Sequence, residues 1–136
     1  MQNYDTIKRG VSLLLEGIGH SKDDPNVLET PDRVARMFGD ILNGYSIDPK
    51  RHLKAFPTNN NDIVVVRNVP IYSYCSHHMQ PFFGKITVAY KPDGEVLGLS
   101  KLVRIARDHA KKLQLQENLT AEIAEFIYTH VKCTGV

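Results

Sequence analysis

"DIVVVRNVPIYSYCSHHMQPFFGKITVAY", residues 62–90, decides the fold of this chain, because two stretches typical of β-strands flank one short turn. Residues 62–74 are rich in β-branched and aromatic side chains, and residues 85–90 form a second such stretch. Pro70 lies inside the first stretch, where it predicts a bulge or a sheet edge. We therefore expect two strands whose connecting turn carries one cysteine and two histidines.

Helical patterns lie on both sides of these strands. Apolar residues at helical spacing predict an N-terminal helix over residues 3–19 and a last helix over about residues 117–132. Thr30 is a predicted N-cap for a second helix, and Ser100 is predicted to cap a third. The predicted order is helix, helix, strand, strand, helix, helix, which belongs to the α+β class.

The predicted sheet is too small to be stable by itself. Two strands alone are marginal and normally need more strands or helical cover. The final segment CTGV, residues 133–136, is typical of a turn that enters another strand. We therefore expect the sheet to be completed by strands beyond Val136, by another subunit, or by both.

Composition bounds the classes of function. The chain has 136 residues, 42% of them hydrophobic, which suits one domain with a substantial core. Its net charge of +2 gives no general case for binding nucleic acid or an anionic membrane, although a local basic patch could hold an anion. No apolar run approaches the roughly 20 residues of a membrane span, and the N-terminus has no apolar signal segment. Two cysteines make a poor disulfide framework, so we expect a cytoplasmic protein whose cysteines are thiols or metal ligands.

The turn between the strands has the donor atoms of a zinc site. Cys75 and His78 stand three residues apart, and a tight corner can bring a thiolate and an imidazole to one metal. Because His77 and His78 are adjacent, their side chains diverge in extended chain, which leaves His77 free to transfer protons near neutral pH. A catalytic zinc needs a third protein ligand, and nothing in the sequence requires Cys133 to supply it. The alternative is a buried cysteine beside two surface histidines, since a lone C-x-x-H pattern is weak.

Two helix starts have side chains that suit a nucleotide. Ser100 and Lys101 lie where free backbone amides favour an anion, and Arg104 follows one turn later on the same face. The alternative there is an ordinary capped helix with solvated charges. Gln116 and Glu117 begin the last predicted helix, where a carboxylate is either a dipole-matched cap or a partner for the donors of a guanine edge.

Several of these segments, in their order and spacing, resemble GTP cyclohydrolase I: C-S-H-H, PFFGK, VAY, GLSKLVRI and LQLQENLT. TPDRVARMF, upstream, is similar to that family's N-terminal helical motif, and the resemblance covers roughly residues 5–132. It implies a T-fold, in which antiparallel sheets with helices on one face join between subunits into a barrel, usually in a homodecamer of two stacked pentamers. It also implies that residues 1–60 are an N-terminal helical extension and residues 61–136 a partial T-fold catalytic domain.

The resemblance implies a chemical role for each residue of the turn. Cys75 and His78 are implied to be zinc ligands, and His77 is implied to be the acid that protonates the purine at N7. The implied reaction begins with attack of zinc-activated water at C8 of GTP. Loss of formate, ring opening, rearrangement and ring closure then lead to 7,8-dihydroneopterin triphosphate.

The same resemblance implies how GTP is held. Ser100, Lys101 and Arg104 match family positions that bind the triphosphate. Glu117, with Gln116 beside it, matches the position that anchors the guanine. The pterin product could feed folate and one-carbon metabolism, biopterin, or a deazaguanine base of tRNA.

The chain departs from the family pattern in two places. Ser76 stands where family members usually have an acidic residue. In the family, the last helix leads into a strand bearing H-x-C, which supplies a second catalytic histidine and the third zinc ligand, and a further arginine for the phosphates follows. This sequence ends before that motif, and Cys133 falls in the preceding turn. We therefore expect either a fragment of a longer enzyme or a shortened homologue.

Two other functions compete with the enzyme. A non-catalytic T-fold subunit would bind guanine nucleotide or assemble with full-length partners, and missing catalytic parts would favour it. A different T-fold enzyme, such as a deazaguanine reductase, would need a nucleophilic cysteine in another context and an NADPH site. The C-S-H-H segment argues against the reductase.

Overall fold

The computed structural model describes residues 2–21 and 23–136, and the chain divides into two compact units, Met1–Ser46 and Ile47–Val136. Each unit is a group of residues that contact one another more than they contact the rest of the chain. The boundary predicted after residue 60 separates a helical extension from a catalytic domain, and it stays a prediction. None of the described helices has the length and apolar character that crossing a membrane requires.

The first unit is a pair of helices. Its elements are α1 (Tyr4–Gly17), α2 (Thr30–Ile41) and a 3-10 turn (Asn43–Tyr45). The helix predicted over residues 3–19 is confirmed for Tyr4–Gly17, and none of its described residues is fully buried in this chain. Between the helices, Lys8 Nζ lies 3.0 Å from Asp32 Oδ1.

The two predicted hydroxyl caps are wrong. Glu29 is the N-cap of α2 and makes no side-chain cap hydrogen bond, so Thr30 is already helical. The reason is that a turn leads into this helix, with the Thr30 amide donating to the Val27 carbonyl at 2.9 Å. The next helix similarly starts one residue before Ser100, which therefore lies inside it.

The second unit, residues 47–136, is described in full and consists of a sheet, a two-stranded ribbon and two helices. Its elements are a 3-10 turn (Pro49–His52), β1 (Ala55–Pro57), β2 (Val64–Cys75), β3 (Pro81–Pro92), β4 (Glu95–Leu97), α3 (Leu99–Ala110), β5 (Leu113–Gln114), α4 (Gln116–His130) and β6 (Cys133–Gly135). β1 pairs with β4, and the remaining strands form a sheet in the order β5-β2-β3-β6. The sequence predicted only β2 and β3, because strands of two or three residues are too short to show a period.

β2 and β3 form the hairpin that the sequence predicts. They run antiparallel, and Tyr74 lies opposite Pro81 next to the turn. The register shifts around Asn68, whose φ of 58° is left-handed, a conformation that Asn tolerates better than most residues. The predicted irregularity thus exists, but it lies just before Pro70 rather than at it.

The core lies between one face of this sheet and helices α3 and α4. Alternate residues of each long strand point into it, and the alternation in β2 is interrupted at the register shift. Its largest fully buried apolar side chains include Tyr90, Leu97, Leu102, Ile105 and Ile127. The hydroxyl of buried Tyr90 accepts the Leu97 amide at 2.7 Å, which ties β4 to β3.

The other face of the sheet is open in the single chain. Tyr72 is 71% exposed and Phe83 is 79% exposed, and their ring centroids lie 6.3 Å apart. The two residues are opposite one another across the β2–β3 pair. The α+β class predicted from the sequence is therefore confirmed, and the architecture is compatible with the predicted T-fold.

Candidate functional site

The turn that joins β2 to β3 is closed by backbone hydrogen bonds. The Cys75 amide donates to the Gln80 carbonyl and the Met79 amide donates to the Cys75 carbonyl, both at 2.8 Å. Met79 has a φ of 56°, the left-handed conformation that reverses the chain here. Between these residues, His77 and His78 are exposed, and Cys75 is half-buried.

This turn brings together a thiol and an imidazole. Cys75 Sγ lies 3.9 Å from His77 Nδ1, and the rings of His77 and His78 are 6.2 Å apart at an angle of 71°. The two rings thus lie edge to face in this turn, rather than diverging as the sequence predicts for extended chain. The Cys75 sulfur contacts His77 and not His78 in this turn, so the assignment of His78 as a zinc ligand stays a prediction.

The donor types of the turn suit zinc, but the donor number is incomplete. Sulfur and imidazole nitrogen are ligands that zinc prefers, and a catalytic zinc has three protein ligands. In residues 2–21 and 23–136 no three His, Cys, Asp or Glu side chains are grouped so that they could hold one metal ion. Cys75 and one histidine therefore fit part of a zinc coordination shell.

Cys133 lies away from this turn. It pairs with Pro92 at one end of β3, whereas the turn that carries Cys75 adjoins the other end, at Pro81. Burial raises the pKa of the Cys133 thiol, which favours the neutral form over the thiolate that a metal needs. The position of Cys133 agrees with the expectation that it is not the third ligand.

The predicted phosphate residues lie together at the start of α3. Ser100 and Arg104 are exposed, and Lys101 is half-buried. The preceding Gly98 donates its amide to the Lys54 carbonyl at 3.3 Å, so the helix start is held against the chain before β1.

The predicted guanine residues begin α4, beside a cavity. Gln116 is the first residue of that helix and Glu117 the second, and both are exposed. A cavity of about 260 Å³ lies between the start of α4 and β3. Its lining includes Gln116 and Thr120 from the helix and Phe82 from the strand. An apolar wall with an amide at its edge can hold a planar base.

The turn and the guanine residues are neighbours, whereas the phosphate residues are not. Cys75 pairs with Gln114 of β5, only two residues before Gln116. Ser100, by contrast, is at the opposite end of α3 from Ala110, about 15 Å along the axis at 1.5 Å per residue. Within one chain, the structure therefore brings together two of the three predicted parts of the site.

A polar cluster of buried His109 and Gln114 with half-buried Glu122 was not found from the sequence. Gln114 Nε2 donates to the His109 carbonyl at 3.1 Å and to Glu122 Oε2 at 3.0 Å. His109 Nδ1 lies 3.4 Å from the same Glu122 oxygen, and burial lowers the pKa of this histidine. The sequence offers no signal for this cluster, because residues 107–117 contain many other charged and polar side chains.

Comparisons with known proteins agree on one family. The family model described as GTP cyclohydrolase I matches residues 7–136. The chain is 44% identical to GTP cyclohydrolase 1 of Clostridium perfringens over 100% of its own length and 74% of that relative. It is 47% identical to GTP cyclohydrolase 1 of Clostridium kluyveri over 96% of this chain and 71% of that protein. Against GTP cyclohydrolase 1 of Campylobacter lari the identity is 42%, over 97% of this chain and 70% of the relative.

Proposed function

Because the chain belongs to the GTP cyclohydrolase I family of enzymes, we propose that it converts GTP and water to 7,8-dihydroneopterin triphosphate and formate. The observation that carries this proposal is the match over residues 7–136, which contains every residue predicted to bind or transform the nucleotide. The proximity of the Cys75 turn to the start of α4 supports it, because the purine must meet both.

The nucleotide is held at two places. Glu117 accepts the N1–H and exocyclic amine of guanine, and Gln116 contributes an amide beside the cavity. Ser100, Lys101 and Arg104 bind the triphosphate, since hydrogen bonds between cations and phosphate oxygens are among the stronger ones in proteins. The positive end of the α3 dipole also favours binding of the negatively charged triphosphate.

Cys75 and His78 supply two ligands for zinc, and a further group in the assembled protein supplies the third. When bound, zinc supplies Lewis acidity that activates a water molecule at neutral pH. β6 runs antiparallel to β3 and points along it toward Pro81, so a strand that continued in this direction would approach the turn. That direction supports a further ligand from such a strand or from a second subunit.

His77 transfers the proton. It is exposed on the turn, and its ring plane is at 71° to that of His78. One histidine can therefore bind metal while the other meets the purine. Protonation of purine N7 makes C8 more electrophilic, which is where water must add. Proton transfer by a positioned imidazole is effective near neutral pH because its ordinary pKa lies close to that range.

Several copies of the chain form the active assembly. Two observations support a T-fold barrel of several copies: Tyr72 and Phe83 are exposed, and Ser100 lies far from the turn of its own chain. In such a barrel, one copy supplies the site residues that another copy lacks nearby. A homodecamer of two pentamers is the stoichiometry that we propose. A reducing cytoplasm suits the assembly, since both Cys75 and Cys133 are free cysteines.

The incomplete donor set favours one alternative, a non-catalytic subunit. Such a subunit would bind guanine nucleotide through Glu117 and the α3 residues but would lack turnover by itself. It could also assemble with full-length partners. The deazaguanine reductase has no comparable support from the contacts around Cys75.

A turnover assay separates the two functions. The purified chain, supplied with zinc, is incubated with GTP, and released formate and the fluorescence of the oxidised pterin are measured. Formate and pterin in equal amounts support the enzyme. GTP binding without either product supports the non-catalytic subunit. Failure to bind GTP in calorimetry would contradict both.

A further inference from the structure

Gln114 connects two parts of the candidate site through its backbone. Its carbonyl accepts the Ser76 amide at 3.0 Å, and β5 pairs parallel with β2 at Cys75. Two residues later the chain enters α4 at Gln116. The position of Gln114 therefore determines where the turn lies relative to the start of that helix.

The backbone pairing of β5 is too short to hold this position alone. β5 has two residues, and its pairing with β2 is limited to Leu113 opposite Tyr74 and Gln114 opposite Cys75. Strands normally gain their stability from longer ladders and from cross-strand side-chain pairs. Other contacts must fix the strand.

The side chain of Gln114 supplies those contacts. It is buried, with 4% of the residue exposed, and its amide nitrogen donates to the His109 carbonyl at the end of α3 and to Glu122 in α4. Both donors of the amide are thereby used, which is the condition for burying it without a large cost. Gln114 thus clamps β5 between two helices.

A second contact supports the same segment from the strand. The hydroxyl of Ser73, which is buried in β2, donates to the Ala110 carbonyl at 2.7 Å and lies 3.3 Å from the Lys112 carbonyl. These carbonyls belong to the last residue of α3 and to the connection that follows it. The connection is therefore tied to the end of β2 just before Cys75.

We propose that Gln114 is a positioning residue, which fixes the Cys75–His78 turn against the start of α4. The effect of this positioning on catalysis rests on the proposed function. A displacement of about 1 Å in a reacting group can reduce the rate on the order of 100-fold, so loss of the clamp would slow turnover more than it weakens guanine binding.

The test replaces the clamping side chain by one of similar length that cannot donate. Gln114→Met is compared with Glu122→Ala, which removes one acceptor, and with Glu122→Gln, whose side-chain carbonyl can still accept. Lys112→Met is the matched control, because Lys112 Nζ reaches Glu122 at only 3.9 Å and the Gln114 contacts remain. The double variant Gln114→Met with Glu122→Ala shows whether the two residues act as a unit.

The first readout is hydrogen–deuterium exchange, which needs neither metal nor turnover. We expect exchange at the Ser76 amide to become about tenfold faster in Gln114→Met and Glu122→Ala, with residues 84–91 of β3 unchanged. Glu122→Gln and Lys112→Met should resemble the original protein, and the double variant should be no worse than either single one. Unchanged exchange at Ser76, or equal acceleration in β3, would overturn the proposal.

The second readout separates rate from affinity. In Gln114→Met we expect kcat to fall about 10- to 100-fold while the affinity for guanosine stays within about threefold. Loss of guanosine affinity with kcat unchanged would contradict the positioning role. If the original protein has no turnover, the proposed function fails, and exchange at Ser76 still decides whether Gln114 holds the turn.

Discussion

The imidazole of His52 donates a hydrogen bond to the carboxylate of Asp108, with 2.8 Å between Nε2 and Oδ2, and both side chains are buried. Arg51 reaches the same carboxylate oxygen at 3.1 Å from a partly exposed position. This contact joins the 3-10 turn Pro49–His52 to the last turn of α3. It holds together two segments that are 56 residues apart in the sequence.

Removal of this carboxylate should destabilise the chain. In Asp108→Ala the buried imidazole of His52 loses its acceptor, and an unsatisfied buried polar group costs about 1–3 kcal/mol. Urea unfolding followed by circular dichroism should show a lower midpoint with an unchanged slope. Arg51→Ala is the control and should cost less, because the Arg51 side chain is about half exposed and Asp108 keeps its hydrogen bond from buried His52. Equal losses in the two variants would contradict this account.

The adjacent histidines of the turn should have opposite effects on metal content. His78→Ala should lose zinc, as should Cys75→Ala, because each removes a ligand. His77→Ala should retain zinc and GTP but reduce turnover about 10²–10⁴-fold, the usual contribution of general acid catalysis. Elemental analysis of protein purified without chelators measures zinc, and Cys133→Ala is the control that should keep it. Undiminished zinc in Cys75→Ala would exclude this site.

Arg104 should recognise phosphate and not guanine. Arg104→Ala should weaken GTP binding by about 1.5–3 kcal/mol, the range for hydrogen bonds to charged groups, and leave guanosine binding unchanged. Calorimetry with both ligands measures the difference. Arg107→Ala, an exposed cation later in α3, serves as the control with a smaller loss. The assignment fails if Arg104→Ala weakens both ligands equally.

Buried His109 should make stability depend on pH. Burial lowers its pKa in the folded chain below the ordinary value of 6.5, so the unfolded chain binds the proton more readily. The contribution of neutral His109 to the free energy of unfolding is therefore intact above pH 6.5. It is lost as the pH falls from there toward the lower pKa of the folded state.

His109→Phe should remove that pH dependence. The substitution also eliminates the imidazole Nε2, which is buried and has no hydrogen-bond partner among the described residues, and it places an aromatic ring against Phe126. Urea midpoints measured between pH 5 and 8 should vary less than in the original protein. If the urea midpoint changes equally with pH in both proteins, groups other than His109 cause the pH dependence.

The main elements were predictable because their signals are local. The β-branched and aromatic composition of β2 and β3 and the helical spacing of apolar residues in α1 and α4 are carried by residues close together in the sequence. The short strands β5 and β6 have no such signal. They form because β2 and β3 offer hydrogen-bonding edges to chain segments that tertiary packing delivers.

By itself, the sequence determined which chemical groups this protein has: a thiol beside two histidines in a turn, cations at one helix start, and a carboxylate at another. Only the tertiary structure decided which of them meet. It placed Gln116 beside the turn through the buried clamp of Gln114, and it placed Ser100 at the far end of α3. The physical reason is that side-chain identity is a local property, whereas distance between sites depends on how buried surfaces and hydrogen-bond partners from remote segments are satisfied together.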